Sequence, residues 1–498
     1  MSLLLGYDIG SSSVKATLLE AGTGKVIASS TSPKTELKII AKKEGWAEQE
    51  PDTWWEHVIN VTKEIKQKAN VDLNGIEAIG IAYQMHGLVI VDKNQKVLYP
   101  SIIWCDSRAV EIGDKAFSSI GREKCQTHLL NSPGNFTASR IKWVKDNLSR
   151  IYKNIYKVML PGDYIAMKLT GEINTTVSGI SEYILWDFKE NKIADIVLDY
   201  FDVDKNIIPD VVSTFSVQGE LSKKAASELG LKPGIKISYR AGDQPNNAFS
   251  LNVLNPGEIA ATAGTSGVVY GVTDKNLYDD KSRVNIFVHV NNSDKEKRHG
   301  ILMCISSTGI LNSWIKNNFF NFKSNVLSYD EMNKLASEIK PGSEKLFIIP
   351  FGNGAERTLE NKNINASIHG LNLNIHTGSH VLRAAQEGIV FAFNFGLNIM
   401  SEMGLKISKI RAGYSNMFLS PIFQKVLSSL SNLEIELYNT DGSQGAARGA
   451  GIGSGIYKNY NEAFLNLKVI KNIKPDKNYK KVYNDVYQDW LNILRQYI

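Results

Sequence analysis

A chain of 498 residues, 43% hydrophobic and 22% charged, is too long for one core and too apolar for disorder, so two large domains around a cleft are expected. Its 57 Lys and Arg against 51 Asp and Glu give a net charge of +6, scattered rather than banded, which speaks against a nucleic-acid partner. Three widely spaced cysteines (Cys105, Cys125, Cys304), an N-terminal stretch that meets Asp8 too soon for a signal peptide, and no 18-residue apolar run lead to the expectation of a cytoplasmic protein with no disulfides and no membrane partner.

Leu3 to Tyr7 reads as a strand, Asp8 to Ser13 as an acidic turn rich in hydroxyls, and Val14 to Leu19 as a returning strand. Glu44 to Trp55 leads into a helix with Trp54, Val58, Val61 and Ile65 on one face. Thr53 and Glu56 have capping-box spacing there, and the tryptophans read as core. A buried strand, Ile76 to Ala82, delivers Tyr83-Gln84-Met85-His86-Gly87 at its end, where a ligand could meet them; His86 taken alone reads as a structural histidine. Asp106 and Arg108 read as an ion pair bracing a loop. Residues 139 to 170 look helical around Pro161-Gly162-Asp163, and Thr175 to Ser181 reads as a polar connection.

The run Ile235 to Ala241 is a strand, followed by Gly242 and Asp243. A carboxylate at such a strand end faces a cleft, as a general base would. Glu258 to Ala263, Gly264-Thr265-Ser266-Gly267 and Val268 to Tyr270 then form strand, turn and strand. Alone this is an ordinary hairpin, but it repeats the design of residues 3 to 19, which suggests duplicated domains. Glycines and exposed amides in two such turns suit β- and γ-phosphates, with Asp8 supplying charge for a magnesium ion. Helices are expected at Ile310 to Asn317 and, deeply buried, at 380 to 400. The glycine run Gly445 to Gly455 fails G-x-G-x-x-G spacing and looks like a closely packed helix. Tyr479, Tyr483, Val486, Trp490 and Leu494 mark a final amphipathic helix, read as a lid.

The acidic turn Asp8 to Ser13, GWAEQEPDTWW, Tyr83 to Gly87, PSIIWCDSR, VMLPGDYIAMKLTGE, Gly242-Asp243 and Gly264 to Gly267 come in an order that resembles the FGGY carbohydrate kinases, and within them the D-xylulose kinases. The resemblance implies an α/β fold of two actin-like (ribonuclease H-like) domains, each a mixed sheet with helices, around a central cleft. Residues 1–244 would carry the sugar site and first phosphate turn, and 245–498 the nucleotide site and second turn. It implies ATP and Mg²⁺, and a ketose or polyol acceptor, D-xylulose first, with L-ribulose, glycerol or sedoheptulose as alternatives and a non-catalytic sensor as the rival from another class. It makes Asp243 the base and Asp8 the metal residue. It assigns Gln84, Met85, His86, Asp243 and Gln244 to the sugar, and Gly10, Ser11, Ser12, Ser13, Lys15, Gly264, Thr265, Gly309, Ser313 and Gly413 to the nucleotide. A homodimer is compatible with this reading. Three departures from the family pattern stand out: Gln244-Pro245 after the base, Ala412-Gly413-Tyr414 in place of a triple glycine, and Ala355 and Leu359 in the Gly354 to Leu359 loop.

Overall fold

The computed structural model describes residues 1–322 and 325–498. Apolar alternation folds the first stretch as expected: β1 (Leu3–Ile9) pairs antiparallel with β2 (Val14–Glu20), and β2 with β3 (Val26–Ser32). Helix α1 (Pro51–Lys68) begins on Pro51, whose fixed φ suits the first helical position, so Thr53 lies inside the first turn and the capping-box expectation fails. Strand β4 (Ile76–Tyr83) runs parallel to β1. The stretch read as a polar connection is instead a strand, Asn174–Thr176, and a short helix, α2 (Val177–Glu182). Thr176 caps it, accepting from the Gly179 N–H at 3.0 Å. Strand β5 (Lys236–Gly242) joins β4 in parallel, giving the order β5-β4-β1-β2-β3.

Helix α3 (Asp243–Ser250) leads to the second sheet, formed by β6 (Glu258–Ala263), β7 (Gly267–Thr273), β8 (Asn285–Val288), β9 (His299–Ile305), β10 (Lys409–Gly413), β11 (Ile435–Tyr438) and β12 (Val469–Ile473). Its order is β8-β9-β7-β6-β10-β11-β12. The antiparallel β6–β7 hairpin, with β10 and β11 added in parallel beside β6, repeats the first sheet's β1–β2 hairpin with β4 and β5 beside β1. The duplication expected from two similar hairpins therefore extends to whole sheets, in the mixed-sheet arrangement of the actin-like fold.

Helices α4 (Gly309–Phe319) and α5 (Gly378–Glu402) belong to the second domain, and α5 is buried along most of its length as expected. The glycine run forms α6 (Gly442–Gly453), which lies not on its own half's sheet but on the first one. Backbone meets backbone there: a Cβ on Gly6 would overlap the Ser443 carbonyl, one on Gly80 the Ala446 carbonyl, and one on Gly453 the Ser238 carbonyl. Thr17 and Ser443 share a hydroxyl hydrogen bond of 2.7 Å, and Ser238 donates to the Ala450 carbonyl at 2.8 Å. The last helix, α7 (Lys477–Leu494), buries Tyr483, Tyr487, Trp490 and Leu494 in the second core, where Tyr483 donates to Glu387 of α5 at 2.6 Å; it is a core helix rather than a lid.

The open edge of β8 is closed by side chains of the first domain. Asn131 accepts from the Ile286 N–H (2.8 Å) and donates to its carbonyl (2.6 Å), while Ser181 accepts from the Val288 N–H (3.0 Å) and Ser178 donates to its carbonyl (2.9 Å). These bonds satisfy an edge that would otherwise be unpaired and clasp the two domains together.

Candidate active site

Asp8 is the next-to-last residue of strand β1, inside the ladder rather than in the turn, and after Ile9 the chain turns through Gly10 to Ser13, closed by the Gly10 N–H donating to the Ser13 carbonyl at 3.0 Å. Burial raises the Asp8 carboxyl to about 6, with Lys15, its partner across the hairpin, opposing the shift and Asp441 adding to it. The Asp8 carboxylate lies directly against Gly442, where α6 begins, leaving no room for a Cβ. Strand β5 ends on Gly242, and α3 starts on the half-buried Asp243. Burial and the charge of Asp8 raise the Asp243 carboxyl to about 7, against a hydrogen bond from Gln244. On the same helix, Asn246 donates to the Gly442 carbonyl (2.9 Å) and Ser250 to that of Asp441 (2.8 Å). The first turn, the Asp243 strand end and the start of α6 thus form one acidic corner.

The end of β4 supplies the next wall. Met85 lies against Gly242 and is 4% exposed. His86 adopts φ 62°, a backbone region that non-glycine residues seldom occupy, and its Nδ1–H donates to the Glu182 carbonyl at 3.3 Å. Its ring packs 4.8 Å from Phe136 and 5.2 Å from Phe287 of β8, so both domains enclose it. Burial and the nearby Arg140 hold the imidazole down to about 3, hence neutral, leaving Nε2 as an acceptor. Gln84 is 2% exposed and donates to Gln49 at 3.2 Å, while Gln49 also accepts from Trp54 and donates to the Ser11 carbonyl. The GWAEQE segment braces this wall. Arg108 pairs with Asp106 (2.7 Å) and Glu48 (2.9 Å) and stacks on Trp46, so the Asp106–Arg108 pair is structural, as its spacing suggested.

Across the cleft, the Gly264–Gly267 turn is pressed against the start of α4. The Gly309 N–H donates to the Gly264 carbonyl at 2.8 Å, Thr308 Oγ1 donates to the same oxygen at 2.6 Å, and a side chain at 309 would strike that carbonyl. Gly264, Thr265, Gly309 and Ser313 line a cavity of 420 Å³, and so do Asn416 and Met417. Gly413 ends β10 three residues earlier and approaches Thr440, next to the acidic corner, rather than lining that cavity. Cys304 of β9, although exposed, also feels the corner: desolvation within the cleft, then Glu356 and Asp243, push its thiol up to about 12. The three cysteines are unpaired.

Phe136, Phe287, Glu182 and Asp441 were not singled out in the sequence. Each reaches the site from a distant segment, and only the Asp441 cap before a glycine-rich helix left a local signal.

The model for "FGGY family of carbohydrate kinases, N-terminal domain" matches residues 3–250, and that for the C-terminal domain matches 259–452. The chain belongs to the FGGY family of carbohydrate kinases. Among the relatives of this FGGY kinase is the xylulose kinase of Haemophilus influenzae, 27% identical over 99% of the chain and 100% of that protein. The L-xylulose/3-keto-L-gulonate kinase of Escherichia coli is 28% identical over 98% of the chain and 96% of that protein. In fold, the FGGY kinase is similar to the ligand-bound xylulose kinase of Lactobacillus acidophilus, with a TM-score of 0.90 and 20% identity over 100% of the chain and 98% of that structure. As a member of the family it is a sugar phosphotransferase with ATP as co-substrate. Among the described residues, no helix is long and apolar enough to cross a membrane.

Proposed function

We propose that this kinase transfers the γ-phosphoryl group of ATP to the terminal hydroxyl of a ketose, with D-xylulose as acceptor and D-xylulose 5-phosphate as product. The observation that carries the reading is Asp243, a half-buried carboxyl that directly follows Gly242, against which Met85 packs, and that feels the charge of Asp8. Relatives named xylulose kinase favour the ketopentose. Asp243 accepts the hydroxyl proton as the sugar oxygen forms its bond to the γ-phosphorus. The bond from that phosphorus to the bridging oxygen breaks, and ADP leaves. Such transfers depend on positioning and charge neutralisation more than on base strength.

In this reading Gly10 to Ser13 with Lys15, and Gly264 with Thr265, hold phosphate oxygens, Gly309 and Ser313 line the nucleotide cavity, and Gly413 reaches the nucleotide from the side of the acidic corner. The Asp8 and Asp243 carboxyls, both raised chiefly by burial, are hard oxygen donors, and Asp8 makes no salt bridge among the described residues, which fits magnesium. Asp8 is the residue that would hold it, and a bound ion would neutralise charge on the β- and γ-phosphates. No cluster of three ligating side chains exists among the described residues, in keeping with an ion that takes one or two carboxylates and keeps its waters. The unpaired cysteines fit a cytoplasmic setting.

His86 accepts a sugar hydroxyl at Nε2. His86→Ala should raise the ketose KM by about tenfold while leaving the ATP KM unchanged, and an unchanged ketose KM would make the histidine purely structural. Asp243 works only when ionised, so kcat/KM for the ketose should fall as pH drops through about 7 and level off above it. A flat profile across that range would remove Asp243 from the proton transfer. The reading as a whole is tested by ADP release with D-xylulose, L-xylulose, L-ribulose, glycerol and sedoheptulose as acceptors. D-Xylulose should give the highest kcat/KM; release with none of them would leave a binding protein.

A further inference from the structure

Glu182 plays no part in the transfer described above, yet it touches Tyr83, His86 and Gly242 on the acceptor side. It ends α2, is fully buried (0% exposed), and forms no salt bridge with any described residue. Its Oε1 accepts from the Tyr83 hydroxyl at 3.2 Å, and its Oε2 has no hydrogen-bond partner. The carboxyl presses so closely on Gly242, the residue before Asp243, that no Cβ fits there. Met85 Cγ closes the same space from the other side, 2.6 Å from where that Cβ would stand. The main-chain oxygen of Glu182 accepts from His86 Nδ1. Burying a carboxyl without a cation is costly, and a leucine would fill the volume without that cost.

We propose that Glu182 is a positioning residue for phosphoryl transfer, seating the Gly242–Asp243 turn against Met85 and His86 so that the base and the acceptor hydroxyl stay in register. The inference rests on the reading of Asp243 as the base. Burial, then the charges of Asp243 and Asp163, push the Glu182 carboxyl well above its ordinary range, while Tyr83 and the His86 contact oppose the shift. The group acts through its shape and through the hydrogen bond it accepts from Tyr83, which glutamine can reproduce and leucine cannot.

The test is steady-state kinetics on the full chain carrying Glu182→Leu, Glu182→Gln, Tyr83→Phe, the Tyr83→Phe/Glu182→Leu pair, or Asp243→Ala. Glu182→Leu should lower kcat about 100-fold, the scale of a misplacement near 1 Å, with the ATP KM within about twofold of the parent. Glu182→Gln should recover kcat to within about threefold and keep the acidic limb of the pH profile in place. The double variant should be no slower than Glu182→Leu alone, because both changes break one contact. Should Glu182→Leu not fold, Tyr83→Phe carries the test, with an expected several-fold loss of kcat. Parent-like kcat in Glu182→Leu or Tyr83→Phe, an ATP KM that rises in step with the loss, or a Glu182→Gln as slow as the leucine variant would each overturn the proposal. Those results with an inactive Asp243→Ala would overturn this inference alone; an active Asp243→Ala would overturn the base reading as well.

Discussion

Replacing Asp243 by alanine should stop phosphoryl transfer, lowering kcat by at least about 10³-fold, while ATP and ketose still bind within a few-fold of the parent. The separation follows from where the carboxyl sits. Asp243 opens α3 directly after a strand, and the contacts that hold this corner together run through Asn246 and Ser250 on the same helix, not through the Asp243 side chain. Removing the carboxylate therefore leaves the walls standing and takes away the proton acceptor. Because the charge of Asp8 adds to the rise that burial imposes on Asp243, replacing Asp8 should let Asp243 titrate closer to an ordinary carboxylate. Calorimetric binding of each ligand, set beside single-turnover rates, checks both halves of this expectation. Turnover within tenfold of the parent would remove Asp243 as the base.

Gly80→Val should be severely damaging to stability, costing roughly 4 kcal/mol or more, or preventing folding outright. A side chain at Gly80 meets the Ala446 carbonyl and lies 3.3 Å from the Ala450 methyl group, and neither the strand nor α6 can yield without breaking its own ladder of hydrogen bonds. Gly22→Ala is the matching control: nothing lies within 4 Å of its Cβ position, so its effect should stay within about 0.5 kcal/mol. Urea denaturation of the two variants beside the parent measures the contrast. Equal midpoints would mean that α6 packs more loosely than its backbone contacts indicate.

Much of this arrangement is legible in the chain because local signals and tertiary demands agree. The strand ends just past Asp8 and at Tyr83 and Gly242 follow from alternation broken by glycine or polar residues, and the paired hairpins announce paired sheets. The Gly445 to Gly455 run declared close packing but not its partner, since glycine shows that a backbone approaches without naming whose. Residues 174–182 mislead for a related reason: Thr-Thr-Val-Ser reads as a loop by composition, while Thr176 turns that polarity into a helix cap. Missing that helix hid Glu182 and the Ser178 and Ser181 clasp on β8. Gln84 is bonded to Gln49, 35 residues earlier, a partner that spacing does not reveal.

The placement of α6 carries a consequence for biogenesis. Strands β1, β4 and β5 are complete once residue 242 has been made, yet one face of their sheet waits for a helix that ends at Gly453 of 498. A nascent chain therefore leaves the ribosome with that apolar face uncovered through some 200 further residues. Holdase chaperones have their longest opportunity on this chain there, and a transcript truncated before the α6 codons would yield a first domain that never closes.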